Sequence, residues 1–100
     1  MPKINIHKQT SLTANEAFSK VRSLLESDPD LKKLDSGYKT NFDPANLTGE
    51  AAGKMFKAHM TVKSSSSGSQ VEIVVDLPLA LTLIKGMIEK TLDKKLSNLV

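Results

Sequence analysis

Two neighbouring segments constrain this chain most. Phe56, Ala58, Met60 and Val62 alternate with Lys57, His59, Thr61 and Lys63, and a few residues later Val71, Ile73 and Val75 alternate with Glu72 and Asp76. A period of two is the mark of a strand with one buried face. Between the two runs lies Ser64-Ser65-Ser66-Ser67-Gly68-Ser69, the one low-complexity stretch, which reads as a flexible loop closing an antiparallel hairpin. A hairpin that is apolar on one side is marginal in water by itself. Further strands and something amphipathic must complete the core.

The covering pieces are two helices. Thr13 and Glu16 have the spacing of a capping box, with Leu12 and Ala17 at the staple positions. Ala14, Ala17, Phe18, Val21, Leu24 and Leu25 then follow a 3.6-residue period until Asp28-Pro29 ends the helix near Ser27. Their arc is about 120° at 100° per residue, which a single packed face accounts for. The last helix is expected from about 79 to 97, opened by Pro78, where a missing amide does no harm. Its apolar positions Ala80, Leu81, Leu83, Ile84, Met87, Ile88, Leu92 and Leu96 spread over about 220°. That width has two readings: the helix touches both the sheet and the first helix, or part of it (Leu83 and Met87, or Leu92 and Leu96) meets something outside the monomer. Gly86 in its middle suits a close backbone approach or a slight bend.

Ile4 and Ile6, alternating with Asn5 and His7, give a short first strand over 3–9. Tyr38, Thr40 and Phe42 give another, stopped by Asp43-Pro44. Residues 28–37 read as a loop with a helical turn near Leu31 to Leu34, and 44–53 as an irregular connection. The expectation is therefore a single α+β domain over 1–100 with the order β-α-β-β-β-α, a four-stranded antiparallel sheet carrying both helices on one face. The opposite face would show Lys57, His59, Thr61, Lys63, Glu72 and Asp76 to water, with Val74 as the apolar exception.

Composition removes several function classes. The chain has no cysteine, hence no disulfide, thiol nucleophile or thiolate metal site. Of fourteen basic residues only Arg22 is arginine, and four aromatics are too few to form a stacking platform, so the net charge of +3 reads as solvated lysine and not as a nucleic-acid surface. The stretch from Val71 to Ile84 is broken by Glu72, Asp76 and Pro78, so no transmembrane segment is expected. The first residues lack the apolar run of a secretory signal, and the expected location is cytoplasmic.

Catalytic and metal chemistry find no purchase. His7 and His59 are the only imidazoles, both at polar strand positions, and nothing in their spacing fixes a third ligand. No phosphate-cradling or dinucleotide glycine motif occurs, and no serine sits in a nucleophile elbow. Asp28 with Asp30, and Glu89 with Asp93, read as solvated charge. The expected protein is not an enzyme, has no metal and needs no cofactor.

The run Val71-Glu72-Ile73-Val74-Val75-Asp76-Leu77-Pro78, continued by Leu79-Ala80-Leu81-Thr82-Leu83-Ile84-Lys85-Gly86-Met87-Ile88-Glu89-Lys90 and Leu92-Asp93-Lys94-Lys95-Leu96, resembles the polyhydroxyalkanoic acid system family, small bacterial proteins of about this length. Ile4-x-Ile6 with Lys8, and Ser11-Leu12 ahead of Glu16-Ala17, fit the same pattern. The resemblance implies association with storage-polyester granules, through the polymer surface or a granule protein, and carries no catalytic residues. On that reading the binding stripe is Leu83, Met87, Leu92 and Leu96, flanked by Lys85, Lys90, Lys94 and Lys95. The same stripe would also serve a homodimer, and the alternative function is a small module for an apolar ligand such as a lipid or acyl chain.

Overall fold

The structure, a computed structural model, describes residues 3–35, 37–54 and 56–99. The element order is β1 (Lys3–Thr10), α1 (Ala14–Ser27), α2 (Pro29–Leu34), β2 (Lys39–Asp43), β3 (Thr48–Ala52), β4 (Lys57–Ser65), β5 (Gly68–Asp76), a 3-10 segment (Leu79–Ile84) and α3 (Lys85–Leu99). The α+β class, the antiparallel sheet and the two long covering helices are as the sequence predicts. The sheet, however, has five strands and not four, in the order β1-β5-β4-β3-β2.

The additional strand lies in the segment expected to be an irregular connection. Thr48–Ala52 pairs with both β2 and β4. It hides from a periodicity search because its inward positions are Gly49 and Ala51. A side chain at Gly49 would overlap the Phe42 ring, and the Met60 methyl lies close by, so neighbouring strands supply the apolar bulk that this strand lacks. Between β2 and β3, Leu47 adopts a left-handed φ of 54° and its carbonyl accepts the Val62 amide at 2.9 Å, extending the ladder into the turn.

The serine-rich loop is also shorter than expected. Ser65 pairs with Gly68, so only Ser66 and Ser67 make the turn. Gly68 has φ +146°, and a Cβ there would run into the Thr10 carbonyl. A side chain is thus barred both by conformation and by space. Next to it, the buried Ser69 hydroxyl donates to the Leu12 carbonyl at 2.9 Å, fastening the turn between β1 and α1 to the hairpin.

The capping box of α1 forms as predicted: the Thr13 hydroxyl accepts the Glu16 amide at 3.2 Å while the Glu16 carboxylate reaches the Thr13 amide. Ala14, Ala17, Phe18, Val21 and Leu25 bury one face of α1 on the sheet. There they meet Ile4 and Ile6, Ala58, Met60 and Val62, and Val71, Ile73 and Val75, all nearly inaccessible to water. The other sheet face carries the expected polar side chains, in cross-strand rows such as Lys3-Asp76-Lys57 and His7-Glu72-Thr61.

The last helical region differs from the single helix predicted over 79–97. Its first six residues are 3-10, and the α-helix begins only at Lys85. Gly86 stands beside that change of pitch, and nothing lies within 4 Å of where its Cβ would be, so no close backbone approach explains it.

Candidate functional site

Two places could hold a partner, and the first is the last helical region. One side of it is a packing seam. Leu92 and Leu96 are 4% and 0% exposed and belong to the core, with Leu81 and Ile88 packed against the same cluster. This corrects the expected stripe, because Leu92 and Leu96 face α1 and β1 and cannot reach an external partner. The wide apolar arc is therefore divided between the two readings: its Leu92 and Leu96 flank is monomer core, and its other flank is open. There Leu83 is 98% exposed, Leu79 75% and Met87 63%.

The lysines divide in the same way. Lys95 turns inward, and its ammonium bonds the carboxylate of Asp28, which is buried at the end of α1. Asp28 is accordingly not the solvated charge expected from its place beside Pro29; sequence spacing gave no sign of a partner 67 positions away. Asp93 meets Lys8 of β1 at 2.8 Å, a second tie between α3 and the sheet edge. Lys85 is half-buried, whereas Lys90 and Lys94 are exposed and have no acidic partner among the described residues.

Near the Asp28 pair, the Tyr38 hydroxyl donates to the Leu25 carbonyl at 2.6 Å. Burial, and secondarily the Asp28 charge, push the Tyr38 phenol above its ordinary value. Tyr38 thus ties the residue just before β2 to the end of α1.

The second place is a shallow concavity of about 340 Å³ on the polar sheet face, lined by Glu50, Lys57, His59, Val74 and Asp76 among others. His59 lies 3.8 Å from Glu50, and on the same face His7 lies 3.6 Å from Glu72. Both imidazoles are about half exposed, as expected for surface histidines. Among the described residues no three His, Cys, Asp or Glu groups are gathered as a metal would require. Nor does any described helix have the length and apolarity to cross a membrane.

No protein-family model matches the chain, and no curated protein matches it. Solved structures do. The di-domain ARO/CYC BexL from the BE-7585A biosynthetic pathway superposes with a TM-score of 0.71 at 11% identity, over 99% of this chain and 45% of that one. TTHA0849 from Thermus thermophilus gives 0.60 at 10% identity, over 98% and 91%. Ara h 8.0201 gives 0.57 at 10% identity, over 97% and 95%. At such identities the likeness is one of fold alone, an α+β fold with an antiparallel sheet covered by helices.

Proposed function

We propose that the chain is a non-catalytic binding protein that holds an apolar surface, that of a storage-polyester granule, through the open flank of its last helical region. One observation carries this reading: Leu79, Leu83 and Met87 stand in water on a segment whose opposite side is fixed to the core. Covering such side chains gains about 1.5–3 kcal/mol each when burial is complete, so the three together give on the order of 5 kcal/mol. A contact of that size suits reversible adsorption. The resemblance of residues 71–96 to the polyhydroxyalkanoic acid system family supports the choice of polyester.

The test is co-sedimentation with polyhydroxyalkanoate particles. The wild type pellets with the particles, and the double variant Leu83→Glu/Met87→Lys stays in the supernatant with an unchanged melting temperature. Equal binding by both proteins refutes the reading.

A second reading, a small module for a lipid or acyl ligand, is supported by the fold that the chain shares with BexL and Ara h 8.0201. Native mass spectrometry separates the two: a retained apolar molecule, together with no affinity for particles, favours the carrier.

A further inference from the structure

The apolar residues of the open flank do not stand alone. Along α3, Met87, Lys90 and Lys94 fall within an arc of about 60° at 100° per residue, and Leu83, in the 3-10 segment just before α3, is exposed as Met87 is. The result is a water-facing stripe that is apolar at its start and basic further on, with Lys90 and Lys94 both exposed. No acid interrupts it. Asp93, to one side, is engaged by Lys8, and Glu89 lies further round toward the seam. Lys95 lies outside this arc, on the side of Ile88, and is drawn inward by Asp28.

An uncharged polymer makes no use of the two lysines. A second copy of the chain fits the stripe poorly: parallel pairing sets Lys90 and Lys94 against their counterparts, and antiparallel pairing lays the ammonium groups over Leu83 and Met87. The chemistry that satisfies both halves is an anionic amphiphile interface, in which acyl chains take up Leu83 and Met87 while headgroup phosphates meet Lys90 and Lys94. We infer that the surface met by this stripe is a lipid layer with anionic headgroups. The inference rests on the same open flank as the proposed function and goes beyond it, giving the surface a charge that bare polyester lacks.

Vesicle co-sedimentation tests it, with vesicles of phosphatidylglycerol and phosphatidylcholine in equal parts compared with phosphatidylcholine alone. The wild type should partition onto the anionic vesicles about tenfold more strongly or better, because each lysine near a charged surface contributes a several-fold gain. Lys90→Glu/Lys94→Glu should abolish that preference, and Leu83→Ser/Met87→Ser should lower binding to both kinds of vesicle. Lys32→Glu/Lys33→Glu removes the same charge from exposed positions of α2 and should bind as the wild type does. Equal partition of the wild type onto both vesicles, or an equal loss in the α2 variant, overturns the inference. So does a concentration-dependent dimer in sedimentation that the Leu83→Ser/Met87→Ser variant abolishes. Binding of the Lys90→Glu/Lys94→Glu variant to bare polyester particles separates the two claims. If it binds as the wild type does while neither protein prefers anionic vesicles, the lipid inference fails and the proposed function stands.

Discussion

Leu83 and Leu96 belong to one continuous helical region and have the same side chain, yet the structure assigns them opposite energetic roles. Leu96 is fully buried and Leu83 is 98% exposed. Truncating Leu96 to alanine removes a packed isobutyl group from water-free surroundings and leaves a cavity that the core only partly fills, so the cost is about 3 kcal/mol within the usual 2–5. For a domain of this length that corresponds to a fall of roughly 15 °C in melting temperature. The same truncation at Leu83 removes almost no buried surface, and alanine is the better helix former, so the change stays within about 0.5 kcal/mol. Urea unfolding followed by far-ultraviolet circular dichroism measures both, with the slope against denaturant checked for constancy so that the midpoints report stability. If Leu83→Ala costs within about 1 kcal/mol of Leu96→Ala, the open flank is covered in solution, and the division of the helix into seam and stripe is wrong.

Three further outcomes follow from the packing. Gly68→Ala forces a side chain into a positive-φ position and against the Thr10 carbonyl, and should cost on the order of 2–4 kcal/mol in the same unfolding assay. Lys95→Met takes the ammonium away from the buried Asp28 carboxylate and should cost about 3 kcal/mol, whereas Asp28→Asn/Lys95→Met should cost less than the sum of its single changes; strict additivity would show that the two are not coupled. The raised phenol of Tyr38 contributes stability that is fully present below its unfolded value of 10.0 and is lost as pH rises through the folded value, so wild-type stability should fall more steeply above pH 10.0 than that of Tyr38→Phe.

Much of this architecture is legible in the residues, because the helices and most strands announce themselves by period. Thr13 and Glu16 fix the start of α1, and Phe56 to Val62 and Val71 to Val75 fix the central hairpin, since each signal is local. What stays hidden depends on partners distant in sequence. The β3 strand carries Gly49 and Ala51 where a strand search looks for bulk, and only the Phe42 ring folded over it shows why. Asp28 looks like punctuation beside Pro29 until Lys95 is brought to it. In the candidate site, Leu83 and Met87 could be named from the width of the apolar arc, but period alone assigns them no different fate from Leu92 and Leu96. Which flank is covered is decided by where α3 lies on β1 and α1, a tertiary fact.

The pairing of β1 with β5 sets the order of events when the chain folds. Lys3 lies opposite Asp76 and Thr10 opposite Ser69, so this ladder joins segments some 60–70 residues apart, while β4 and β5 meet across a two-residue turn. Closing a loop of that length costs about 4 kcal/mol in chain entropy before any contact repays it, whereas the hairpin costs little. The hairpin is the natural nucleus, and β1, together with the α1 helix that follows it in sequence, joins late. Until it does, the outer backbone groups of β5 are unpaired along eight residues and can take up a strand from any neighbouring chain. Refolding at high protein concentration therefore sets β1 in competition with β1 segments of other molecules for one vacant edge, and dilution favours the chain's own strand.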